Sequence, residues 1–203
     1  MSQERPAPLR ICVVGDELVA GVGDRRALGW VGRVAARTAV QVPATGVFAL
    51  GVPGESTSGL LARWREETDL RFATDADNRL AVGLGRADVD AGQSTARSRL
   101  NLANVLDDAE SRGIAAFVLG PPPTLDTEVN ARLGDLSQAF ADVCQRRGVP
   151  FVDAFGPLSA HDAWFADLAG GDGTHPGQSG YGLLAWLVLH GGWHEWLGVP
   201  QDA

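Results

Sequence analysis

Asp172 and His175 stand three residues apart in GGDGTHPGQSGYG, a glycine-rich turn ahead of the closing apolar segment. On one turn that spacing lets a carboxylate hydrogen-bond an imidazole and set its tautomer, which equips the histidine for proton transfer. A second group of acids lies near the start, where VVGDELVAGVGD brings Asp16, Glu17 and Asp24 together just after an apolar run. By themselves these read as a helix N-cap and solvated carboxylates.

Five short apolar runs punctuate the chain: Leu9 to Gly15, Gly46 to Gly51, Leu80 to Gly85, Ala115 to Gly120 and Pro150 to Asp153. Each is nearly continuous, as strands covered on both faces should be, and each ends in Gly or a polar turn. Between them, Trp30 to Ala39, Ser58 to Asp69, Thr95 to Arg112 and Glu128 to Arg147 carry apolar residues at spacings of three and four, and Ser179 to Leu197 closes the chain. That alternation predicts α/β units feeding a parallel sheet in a three-layer α/β/α sandwich, with residues 1–203 as one domain. Ligands of such sheets bind beyond the carboxyl ends of the strands, so chemistry is expected in the loops that begin at Gly15, Gly51, Gly85, Gly120 and Asp153.

The composition fits one core-forming domain: 203 residues, 45% apolar and 21% charged, long enough to bury roughly 70% of the unfolded surface without disulfides or metals. Cys12 and Cys144 both fall inside apolar segments and are expected as buried free thiols. A net charge of -8 argues against nucleic acid as a partner, because phosphate neutralisation needs clustered cations. All 17 basic residues are Arg, as a GC-rich coding sequence would produce. The opening MSQERPAPLR has no signal-length apolar stretch, and no window approaches a membrane span, so a cytoplasmic protein without a membrane partner is expected.

Taken in order, these blocks resemble the SGNH hydrolases, the GDSL-like lipase/acylhydrolase family, over nearly the whole chain. Gly15-Asp16-Glu17-Leu18 sits where the family has Gly-Asp-Ser-Leu, and GVPGESTSGLLARW is similar to its second block, with Gly51 on the oxyanion-hole glycine. Gly85-Arg86-Ala87-Asp88 falls on the Gly-x-Asn-Asp block, while VLGPPP and Asp172-x-x-His175 match the later landmarks. The resemblance implies a flavodoxin-like sandwich of five parallel strands. It also implies a site in which a serine attacks an acyl carbon, the histidine activates it and the aspartate orients the histidine.

The sequence departs from that pattern at two positions: Glu17 replaces the serine and Ala87 replaces the asparagine. Losing one oxyanion donor alone costs on the order of 10²- to 10³-fold in rate, so an ordinary serine esterase is not expected. Ser56 and Ser58 do not lie in a nucleophile elbow. With His175 in its family position, Glu17 would lie near it and Asp172 beyond, and two acids flanking an imidazole favour its protonated form. The expected catalytic set is therefore Glu17 as base, His175 as acid and Asp172 as orienter. Such a set suits elimination, ring opening or intramolecular displacement on a small polar substrate, as in specialised metabolism. Gly51, Arg86 and Ala87 form the expected substrate-binding set, with Arg86 available to an anionic group.

Two other readings belong to different classes. One is a catalytically silent subunit completing a heteromeric biosynthetic enzyme, and the other is a residual carboxylester hydrolase working through His175 and water. Trp186, Trp193 and Trp196, at spacings of seven and three, are expected on one helical stripe packed against the sheet; their alternative is an interface. His190 and His194 are four apart, but Gly191 and Gly192 interrupt the helix between them, so no metal and no other cofactor is expected.

Overall fold

A computed structural model describes residues 7–41 and 45–199; the opening residues 1–6 used in the expectation about location lie outside them. The strands are β1 (Leu9–Gly15), β2 (Gly46–Gly51), β3 (Asp77–Gly83), β4 (Ala115–Leu119) and β5 (Phe151–Val152). They pair in parallel in the order β2-β1-β3-β4-β5. The third run begins earlier than its apolar residues suggest, because Asp77 and Asn78 pair with Leu9 and Arg10 at the sheet's amino edge.

Alternation along each strand makes two cores. Ile11, Val13, Ala81, Phe117 and Val152 pack on one face, where α2 (Gly29–Gln41), α8 (Asp162–Ala169) and α9 (Gln178–Val188) lie. Cys12, Val14, Leu80, Val82 and Val118 pack on the other, under α3 (Thr57–Asp69), α5 (Thr95–Ser111) and α6 (Thr127–Gln145). Side chains on successive strand residues point to opposite faces, so a continuous apolar run supplies both layers. Cys12 and Cys144 are free and buried, and burial pushes each thiol up to about 12.

Short helices at the carboxyl edge have no counterpart in the periodicity: α1 (Glu17–Ala20), α4 (Arg86–Asp90) and α7 (Phe155–Ser159). Each spans about a turn, too short for a 3.6-residue pattern to register. The closing segment also differs from the expected single helix. It runs α9, a π-type turn over Leu189–Trp193, then α10 (His194–Leu197), with Gly191 and Gly192 leaving helical geometry. Gly192, at φ +99°, resets the helical phase. Trp193 and Trp196 therefore turn inward against Phe117, while Trp186 stays 56% exposed and stacks on His190. The three tryptophans do not share one stripe.

No described helix is long and apolar enough to cross a membrane.

Candidate active site

β1 ends at Gly15, whose φ is +152° and where a Cβ would come within 1.9 Å of Gly83 O. Only glycine allows this approach, and it sets the next residues at the carboxyl edge of the sheet. Asp16 then caps α1, accepting from Leu18 N–H at 3.0 Å through Oδ1. Glu17, the first residue of that turn, accepts from Gly54 N–H at 2.8 Å through Oε2.

Gly54 belongs to the loop between β2 and α3. That loop is tied down by Glu55, which pairs with Arg63, and by Arg63 Nη2 donating to Leu50 O at 3.0 Å. Gly51 itself is the last residue of β2, in register with Gly15, and a Cβ there would lie 2.3 Å from Ala20 N. Its smallness lets α1 sit on β2. The amide that reaches Glu17 is Gly54's, while Gly51, expected in the substrate-binding set, lies under α1 at the end of β2. A signal for this was present: the apolar run stops at Gly51, which makes Gly51 the last strand residue and Gly54 the first glycine of the loop.

After β3, α4 carries three residues of the next block. Arg86 lines the same cleft as Glu17 and pairs with Asp90 at 3.1 Å. Ala87 is half-buried and brings no polar side chain. Asp88 is buried, and its Oδ1 accepts from Thr57 N–H at 2.9 Å, joining this block to the start of α3. The neighbouring hydroxyls are committed to the scaffold: Asn101 Nδ2 donates to Thr57 Oγ1 and Ser58 Oγ, and Ser58 Oγ donates to Gln93 Oε1 at 2.9 Å.

Asp172 and His175 form the pair that their spacing predicts. Oδ1 accepts from the Thr174 and His175 N–H groups at 2.8 and 2.7 Å, and Oδ2 lies 2.6 Å from His175 Nδ1. The His175 ring and these amides hold the Asp172 carboxyl well below the usual carboxylate range. The loop carrying them is anchored from α8, where Asp167 Oδ2 accepts from Gly177 and Gly180 N–H at 2.6 and 2.9 Å. No periodic signal marked Asp167, because its role rests on contacts across ten and thirteen residues.

Glu17 and His175 do not meet as a hydrogen-bonded set among the described residues. Glu17 lines a narrow cleft with Asp16, Trp30, Arg86, Pro122 and Thr174. Asp172 and His175 line an adjacent, open depression with Gly23, Arg25 and Gln178. The expected Glu-His-Asp chain is thus replaced by an acid held on a backbone amide and a separate Asp–His pair.

Asp16 does more than cap α1. It is 2% exposed, and burial, then the adjacent Glu17, raise its carboxyl to about 8 despite the Leu18 amide.

His190 and His194 diverge: Nδ1 of the exposed His190 bonds Trp186 O, while His194 is buried. Among the described residues no three His, Cys, Asp or Glu cluster as metal ligands would.

Residues 13–183 match the GDSL-like Lipase/Acylhydrolase family. The chain is 30% identical over 195 residues to a GDSL lipase of Mycobacterium tuberculosis, covering 86% of this chain and 78% of that protein. Among solved structures it is similar to a lipase/acylhydrolase from Enterococcus faecalis, with 21% identity, TM-score 0.76 and coverage of 96% and 99% of the two chains. It is also similar to a catalytic mutant of an acetylxylan esterase from Geobacillus stearothermophilus, with 17% identity, TM-score 0.78 and coverage of 98% and 100%. The sheet order and flanking helices agree with that fold, and the chain belongs to the GDSL-like lipase/acylhydrolase family.

Proposed function

We propose that this family member is an enzyme that has exchanged serine acyl transfer for proton transfer on a small polar substrate. Glu17 acts as base and His175 as acid, promoting elimination, ring opening or intramolecular displacement. The observation that carries this reading is the 2.8 Å contact between Gly54 N–H and Glu17 Oε2. A backbone amide of the β2–α3 loop fixes a carboxylate at the position that the sequence resemblance gives to the nucleophile. The acid gains a fixed orientation there, as a base needs.

In the proposed reaction Glu17 removes a proton from the substrate while His175 gives one to the departing oxygen, and exchange with water resets both groups. Asp172, held ionised, fixes the imidazole tautomer and balances its charge. Because Glu17 and His175 do not touch, the substrate bridges them, with one end in the cleft and the other over the depression. Arg86 at the cleft wall stays paired with Asp90 on α4, so the substrate end held in the cleft carries no anionic group.

The test compares 4-nitrophenyl acetate with a panel of small epoxides and β-substituted carbonyl compounds. The wild type is expected to act on the panel and barely on the ester, with Glu17→Gln lowering panel turnover by about 10²-fold or more. The Glu17→Ser, Ala87→Asn double variant is expected to hydrolyse the ester about 10²-fold faster than the wild type. Ester turnover by the wild type that Glu17→Gln leaves intact would sink the proposal.

A further inference from the structure

The narrow cleft beside Glu17 has an internal volume of about 30 Å3, room for about two water-sized groups. Its walls include Trp30, Leu84, Leu119, Pro122 and Trp164. Among these apolar groups stands Asp16, 2% exposed, with Oδ1 pinned by Leu18 N–H and no cation paired with its carboxyl among the described residues. An acid that remained charged there would need a cation. Arg86 is tied to Asp90 and Arg63 to Glu55. The other groups facing Asp16 are Glu17 on its own turn, Glu55 from the β2–α3 loop and Tyr181 from α9, whose hydroxyl donates to Val22 O. None is a free cation.

We propose that this cleft binds the short uncharged end of a ligand, a carbonyl-bearing group of two or three heavy atoms, with the Asp16 carboxyl donating a hydrogen bond to its oxygen. Burial and the neighbouring Glu17 keep the proton on Asp16 up to about pH 8, so at neutral pH the residue is a donor rather than an acceptor. A mostly apolar wall with a neutral donor at Asp16 favours an amide, ketone or ester carbonyl over a carboxylate, which would meet the charge of Glu17 while Arg86 stays paired with Asp90. The inference names the substrate class for the cleft in which Glu17 is proposed to act, and to that extent rests on that reading.

The probes are fluoroacetamide and fluoroacetate, nearly isosteric, followed by ¹⁹F NMR titration between pH 6 and 9.5. Fluoroacetamide is expected to bind saturably and at least tenfold more tightly than fluoroacetate at pH 7, and to weaken about tenfold per pH unit above about 8. Asp16→Asn keeps an N–H donor and the cap, and should bind fluoroacetamide with no pH dependence. Equal binding of both probes, no saturable binding, or the wild-type pH slope persisting in Asp16→Asn would overturn the proposal. Should Asp16→Asn fail to fold, the wild-type probe comparison and pH slope decide alone. Binding is read without turnover, so a failed Glu17→Gln assay and a failed titration are separate results.

Discussion

Asp16 and Glu17 are adjacent carboxyl groups with opposite surroundings: one is buried against apolar walls, and the other reaches the β2–α3 loop to accept a backbone amide. Such a pair assigns a proton donor and an acceptor from environment alone. The stability consequence follows from linkage. Asp16 is raised to about 8 in the folded protein and returns to the ordinary carboxyl range when unfolded, so the native state holds the extra proton between those limits. Its contribution is fully present below the unfolded value and lost as pH rises through about 8. Asp16→Asn, which keeps the cap, should therefore gain on the wild type by about 1.4 kcal/mol per pH unit from the carboxyl range to about 8, then level off. Urea unfolding of both proteins between pH 5 and 9 reads that slope, and parallel curves would show that Asp16 ionises normally.

At the scale of elements, the site depends on loops tied to helices by single carboxylates. Gly177 gives α9 no side-chain cap of its own; Asp167, reaching across from α8, accepts two of its orphan N–H groups. Asp167→Ala should cost about 1–2 kcal/mol in urea unfolding. It should also speed amide exchange through residues 171–178, where Asp172 and His175 lie, while exchange in β1 and β3 stays slow. Unchanged exchange in that loop would mean that the Asp172–His175 turn holds itself. On the other flank of the site, Asp24 does similar work at the entry to α2, accepting from Arg26, Leu28 and Gly29 N–H and pairing with Arg33. Burial alone would raise its carboxyl, but the guanidinium and the amides prevail and hold it below the usual range.

Across the whole molecule, the closing segment divides its tryptophans between core and surface. Trp193 donates through Nε1 to Thr38 Oγ1 at 2.9 Å, and Trp196, 8% exposed, packs on Phe117 under the Arg79 guanidinium. Trp196→Ala should thus destabilise the fold by about 3–5 kcal/mol, as large-to-small core changes do. Trp186→Ala, at the surface, should stay within about 0.5 kcal/mol. Thermal unfolding of the two variants separates the roles, and equal losses would place Trp186 in the core as well. The segment is consequently no uniform apolar face, and of its three tryptophans Trp186 is the exposed one.

Much of the fold and part of the site were legible from local pattern. Apolar runs ending in glycine marked the strands, and spacings of three and four marked the long helices, because burial on both faces of a parallel sheet leaves that imprint on contiguous residues. The Asp172–His175 pair was readable for the same reason: a three-residue separation on one turn leaves little freedom. Glu17 was visible as a residue type, but its partner was not, since Gly54 lies 37 residues away and is brought there by the β2–α3 loop. Tertiary packing also decided the burial that keeps a proton on Asp16, the gap between Glu17 and His175, and the inward turn of Trp196 after Gly192. Local geometry is set by torsions within a few residues, whereas solvation and long-range approach belong to the assembled layers; the chemistry of each acid depends on the second.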